Sequence, residues 1–281
     1  MDTNSRQFYG LIGTTIFSKL LFNTSRRLIY PFAPELARGL NTDLSAITSV
    51  IAVNQATGLL APAGATLADR YGYRLFLLLS LAVLAVGSFA LGLIPVYSVF
   101  VICFFLSGLA KSIFDPGLQA WIGRWVPFEK RGKIIGITEL AWAATTLTAI
   151  PLAGIIIERF SWQTPFIIIS GLALGSFLLL LIIMPKDRPT RERQTSQSFA
   201  ASWNIILKNR QVLAMLGFVF FISAANDNLF VIYGVWLEQS FGLSIAAIGF
   251  GTILIGIAEL LGEGGTALFA DRIGLKQSIL A

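Results

Sequence analysis

The sequence has no histidine, a single cysteine and few charges: Asp, Glu, Lys and Arg make up 13% of its 281 residues, against about 25% in ordinary soluble domains. Without imidazole, histidine-built zinc sites, histidine acid–base chemistry and Ser-His-Asp catalysis are excluded. Cys103 has no second cysteine to pair with, and its neighbours Val101, Ile102, Phe104 and Phe105 give it a packing role in an apolar segment. Scarce charge combined with 55% hydrophobic residues, 26 Gly, 22 Phe and a mean hydropathy of +0.75 rules out a soluble globular fold, a coiled coil and a disordered chain. An all-α multi-pass membrane protein remains. At about 20 apolar residues per span, the length holds roughly eight or nine helices.

Eight apolar segments answer to that estimate, at roughly residues 8–34, 44–68, 75–94, 96–121, 134–157, 165–184, 212–237 and 244–270. The third and sixth contain no charged residue. The first carries Lys19, Arg26 and Arg27 and lacks a small-residue cleavage site, so it is not a signal peptide. Alternate connections differ sharply in basic residues: fifteen of the 21 Lys and Arg fall on the side of the N-terminus, and Arg38 and Arg159 on the other. That bias places the N-terminus in the cytoplasm of a cell (inner or plasma) membrane protein, and it accounts for the net charge of +6 without a nucleic-acid partner. The connection 185–210 is long and basic and reads as a cytoplasmic linker. It divides a six-helix N-terminal transmembrane domain, 1–184, from an incomplete C-terminal one, 211–281. Residues 199–207 are expected to form a short helix at the inner leaflet, with Trp203 at headgroup depth.

An internal repeat sharpens this picture. Leu67-Ala68-Asp69-Arg70-Tyr71-Gly72-Tyr73-Arg74, between the second and third segments, recurs as Phe269-Ala270-Asp271-Arg272-Ile273-Gly274-Leu275-Lys276 after the eighth, 202 residues later. Six spans and their loops fill that distance, so the chain reads as two similar halves. The repeated Asp-Arg-x-Gly-x-Arg/Lys resembles the signature loop of the major facilitator superfamily of secondary transporters. Tyr73 and Leu275 stand where that family usually has a basic residue. Gly72 permits a tight turn, Asp69 can face the positive end of a neighbouring helix, and Arg70 and Arg74 suit an anionic inner leaflet. Asp271, Arg272, Gly274 and Lys276 are the matching residues of the second copy. Pro127-Phe128-Glu129-Lys130-Arg131-Gly132-Lys133 resembles the family's loop between helices four and five. Pro151-Leu152-Ala153-Gly154 partly resembles the helix-bend motif of its drug/proton antiporters, which points to export, and Pro151 is in any case a kink.

The resemblance implies a six-helix N-terminal bundle plus the first two helices of a second, with four helices missing after Ala281. It also implies a small-molecule substrate moved by alternating access, with protons as the coupling ion and no metal or other cofactor. A truncated or split product without activity of its own is one alternative, and a membrane-embedded lipid-modifying enzyme another. The latter would need clustered acids for a metal or a nucleophile with a base, and no Asp-Asp-x-x-Asp or Glu-x-x-His occurs.

Charges inside spans cost several kcal/mol unless they face a cavity or a partner, so each is a candidate site residue. They are Lys19, Arg26, Arg27, Lys111, Asp115, Glu139, Asp227, Glu259 and Glu263. Counting about 1.5 Å per residue from the cytoplasmic edge puts Lys19 and Lys111 near the midplane and Arg26 and Arg27 near the outer end. Lys111 and Asp115, four apart, share a helix face and can neutralise each other or meet substrate. Glu139 shares a face with Trp142, and desolvation beside that aromatic wall would raise its pKa as proton coupling requires. Asp227 and Asn228 form a polar break expected to face a cavity, and Asn54 and Gln55 should bond between helices. Glu263, near the inner edge, reads as structural. Arg27 is the sharpest candidate for a substrate anion, with snorkelling to the outer headgroups as its alternative.

Overall fold

The computed structural model describes residues 5–187 and 207–273, and every regular element among them is a helix. The first expected span is two helices, α1 (Ser5–Arg27) and α2 (Ala33–Gly39), separated by a turn that contains Pro31, with Pro34 in the first turn of α2. The second is α3 (Leu44–Ala56), capped by the Asp43 carboxylate on the Ala46 N–H at 2.7 Å, followed by a 3₁₀ turn and α4 (Ala61–Tyr71). Pro62 forces the 3₁₀ turn, because it offers no N–H to the Gly58 carbonyl. Then come α5 (Tyr73–Leu93) and α6 (Tyr97–Trp125). The fifth span is α7 (Phe128–Ala144) continued through a π turn at Thr145–Ala149 into α8 (Ile150–Arg159). Pro151 leaves the Leu147 carbonyl without its helical donor, so the expected kink takes the form of an inserted residue. The order closes with α9 (Thr164–Ile183), α10 (Arg210–Phe241) and α11 (Ile245–Ile273).

Six of these stretches are long and apolar enough to cross a membrane: α5, α6, residues 130–159, α9, α10 and residues 245–262. The first two of the eight expected spans fall outside that group. The apolar helix at 44–60 is shorter, and α1 is polar along much of its length. Thr14, Thr15, Ser18, Lys19, Asn23, Thr24, Ser25 and Arg27 are all buried there. Those polar side chains face protein, because α1 packs on α6, α7 and α9. Its hydroxyls bond back to its own carbonyls, as Ser18 does to Thr14 at 2.7 Å and Thr24 to Leu20 at 2.8 Å.

The apolar core lies where α5 meets α6 and α9, filled by Leu77, Leu81, Leu84, Phe100, Phe104 and Phe166. Cys103 is buried in the same cluster. α11 packs along α8, where Gly154 and Gly249 let the two backbones meet.

At one end of the bundle α4 turns into α5. Gly72 sits at φ 105° with no room for a side chain, since a Cβ would lie 2.4 Å from the Asp187 carboxylate. Asp69 does not face a neighbouring helix end as expected; it accepts from the Tyr73 hydroxyl one turn on. Asp187 takes that place, accepting the Arg74 N–H at the start of α5 at 2.9 Å, while the Arg74 guanidinium reaches the Leu181 carbonyl. Of the second copy of the motif, Asp271 and Arg272 lie on the last turn of α11, and Gly274 and Lys276 lie outside the described residues. So do the linker at 188–206 and with it Trp203 and nearly all of the expected inner-leaflet helix.

The opposite end is closed by contacts between distant parts of the chain. Arg38 of α2 pairs with Glu35 and, at 2.6 Å, with Glu238 of α10. Gly234 of α10 lies against the Pro31 carbonyl so closely that a Cβ would come within 2.2 Å of it. Glu158, near the end of α8, caps α11 by accepting the Ala246 N–H at 3.0 Å.

Candidate functional site

Three intramembrane cations meet three carboxylates at mid-bundle. Lys19 of α1 pairs with Glu139 of α7 at 2.7 Å, and Lys111 pairs with Asp115 one turn along α6 at 2.6 Å. Arg27 at the end of α1 holds Glu259 of α11 in a two-pronged pair, Nη2 to Oε1 at 2.5 Å and Nη1 to Oε2 at 3.1 Å. Such a fork fixes direction as well as charge.

The Arg27–Glu259 pair is completed by the fifth span. The Trp142 indole N–H donates to Glu259 Oε1 at 3.1 Å, and the Thr146 hydroxyl donates to Oε2 at 2.9 Å. Arg27 also touches Thr146 Oγ1 and lies over the Trp142 ring, 4.0 Å from its centroid, with Phe230 of α10 at 5.1 Å. Thr146 belongs to the π turn, where the added residue changes which side chains face inward.

Sequence depth is corrected here. Arg27 lies level with the middle of the helix at 130–159 and of α11, not near the outer end, because α1 stops at Arg27 and a turn and α2 complete the crossing. Its charge is consumed by Glu259, so it is not an open contact for a substrate anion. Glu139 departs from expectation as well: its side chain is 46% exposed and paired with Lys19, and Trp142 serves the other carboxylate.

A second polar group adjoins the first. A cavity of about 130 Å³ is lined by Arg26, Gln55, Lys111, Ser112 and Asp115, with Asn54, Thr57, Gly58 and Gly108. Arg26 donates to Gln55, whose amide nitrogen donates to Asp227 at 2.8 Å and to the Tyr30 hydroxyl at 3.1 Å. Asp227 of α10 is thereby brought to the cavity edge. Asn228 is not: it is exposed and bonds to the Ala224 carbonyl of its own helix. Asn54 ties the second span to the fourth through the Phe104 carbonyl at 2.6 Å. Pro151 and Gly154 lie beyond the π turn, on the face of α8 turned to α11.

Sequence reasoning missed Thr146, Asn23 and Phe230 altogether and left Glu259 and Arg26 without partners. Glu259 carried a signal, an acid in an apolar helix. Its pairing with a residue 232 positions away did not.

The chain matches the profile of the Major Facilitator Superfamily over residues 15–281. It belongs to that superfamily. An uncharacterised MFS-type transporter of Bacillus subtilis (strain 168), YceJ, is 25% identical over 95% of this chain and 68% of its own length. The hexuronate transporter of the same organism is 24% identical over 76% of this chain and 52% of its own length. The multi-drug resistance efflux pump PmrA of Streptococcus pneumoniae serotype 4 is 28% identical over 60% and 42%. Among solved structures, a D-xylose–proton symporter superposes with a TM-score of 0.66 at 19% identity, over 94% of this chain and 69% of the symporter. The chain thus spans between 42% and 69% of the length of these proteins. It is a multi-pass membrane protein of a transporter family, not an enzyme.

Proposed function

We propose that this MFS chain carries the N-terminal half and the opening helices of a secondary transporter that moves a small solute by alternating access, with four further helices completing the second half. One observation carries the reading: Arg27, Trp142 and Thr146 converge on Glu259 across 232 residues of sequence, joining α1 and α7 to α11 beside a polar cavity. Alternating access requires a junction between the halves that can open and close about a site.

Protons are the coupling ion in this reading, and Glu259 is the group that receives them. Protonation removes the charge that holds the Arg27 fork, so α11 is freed from α1 and α7. The basic connections support a cytoplasmic signature-loop end, and with it the reading that the end joined by Arg38 and Glu238 faces outward. Export is the proposed direction, supported by the partial antiporter motif at Pro151-Leu152-Ala153-Gly154 and by the likeness to PmrA.

The test is counterflow in proteoliposomes under an imposed pH gradient, with a panel of labelled solutes. Wild type should accumulate a solute in response to the gradient. Glu259→Gln should keep exchange at equal pH and lose the response. A gradient response unchanged in Glu259→Gln removes protons from Glu259, and no exchange of any solute by the chain together with its completing helices refutes the transporter reading. Protease protection of an N-terminal tag checks the orientation.

A further inference from the structure

We infer that the cavity beside Arg26 and Lys111 recognises a small hydroxylated carboxylate, an inference that rests on the transporter reading above and names its substrate class. The cavity lining holds two cations, Arg26 and Lys111, and one carboxylate, Asp115, with Asp227 at its edge beyond Gln55. Lys111 is 7% exposed and spends two of its three donors, on Asn23 Oδ1 at 2.8 Å and Asp115 Oδ2 at 2.6 Å, leaving one N–H for a ligand. Arg26 binds Gln55 and has no carboxylate within ion-pair distance among the described residues, so its charge is available where that of Arg27 is not. A ligand anion is the complement of that unpaired guanidinium.

The other half of the inference comes from Asp115. Its Oδ1 is buried and has no hydrogen-bond partner, although the residue lines the cavity. A buried carboxylate oxygen without a donor costs about 1–3 kcal/mol, more when charged. A ligand hydroxyl satisfies it by donating to it. Guanidinium and ammonium for the acid and a free carboxylate oxygen for the hydroxyl together describe a hydroxy acid or sugar acid. A volume of about 130 Å³ is below the roughly 300–1,000 Å³ of drug-sized sites and suits a small acid.

Equilibrium binding to the purified full chain in nanodiscs tests this, with tartrate, succinate, glucose and ethidium as probes. Tartrate should bind at least tenfold more tightly than succinate, which lacks the hydroxyls, and than glucose, which lacks the acid. Ethidium should not compete. Arg26→Gln and Lys111→Met should each weaken tartrate at least tenfold, and Asp115→Asn should bring the tartrate-to-succinate ratio towards one. Should Arg26→Gln fail to insert, Gln55→Glu, which neutralises Arg26 in place, must cause the same loss. Equal binding of succinate, preference for glucose or ethidium, or no binding of either acid overturns the substrate class. Counterflow of some other solute in that last case leaves the transporter reading standing, whereas tartrate binding without any exchange fails the transporter reading and keeps the site.

Discussion

Arg26 and Arg27 are adjacent in sequence, carry the same charge and end the same helix, yet they serve opposite purposes. Arg27 is 4% exposed and saturated: its fork grips Glu259, its plane covers Trp142, and Thr146 closes the group. Arg26, turned about 100° around the helix, meets only polar neutral groups and a cavity. Cationic charge in a membrane helix is therefore either a structural joint or a recognition element according to whether the fold brings an acid to it. Helix periodicity separates the two faces; tertiary contacts decide which is which.

The largest effect should come from breaking the joint. Glu259→Ala leaves Arg27 buried without its counter-charge and should lower unfolding stability by about 3–5 kcal/mol, as loss of one partner of a buried pair does, measured by chemical denaturation in detergent. The double variant Arg27→Gln with Glu259→Gln should recover most of that loss. A cost near zero for Glu259→Ala would make the two arginines equivalent and dissolve the contrast.

Trp142→Phe sharpens the comparison by keeping the ring under Arg27 and removing the N–H to Glu259. A hydrogen bond to a charged group is worth about 1.5–3 kcal/mol, and the same denaturation curve should show a loss of that size. Arg26→Gln should behave differently, costing no more than about 1 kcal/mol, the net value of an ordinary hydrogen bond, while tartrate binding falls. The smallest change is expected at the sealed end. Arg38 is 54% exposed in its pairs with Glu35 and Glu238, and Arg38→Gln should move stability by about 0–1 kcal/mol. Its effect should appear instead as faster hydrogen exchange of the backbone around Glu238.

Much of the fold was legible. Apolar runs located the six stretches long and apolar enough to cross a membrane, Pro151 marked the bend in the fifth expected span, and Gly72 marked the turn into the third. The first pass was misjudged in its geometry, because a continuous apolar count cannot show that α1 stops at Arg27 and resumes as α2. Depths reckoned from the edge were wrong for that reason. The site was legible as a list of costly charges and illegible as pairs. The spacing of Lys111 and Asp115 is local and follows from helix geometry. Lys19 with Glu139, Arg27 with Glu259 and Gln55 with Asp227 join separate helices, and nothing in a single sequence encodes such partners. Asp187 shows the same limit: it reads as one more linker charge until the fold places it on the first turn of α5.

Composition and periodicity determined by themselves that this is a helical membrane protein, because burial of apolar surface and satisfaction of backbone hydrogen bonds in lipid depend on local sequence, and the Asp-Arg-x-Gly repeat carried the resemblance to the Major Facilitator Superfamily. Tertiary structure alone decided which charges cancel and which remain open to a ligand. Electrostatic pairing acts over a few ångströms of space, and the residues it joins here are as many as 232 apart along the chain.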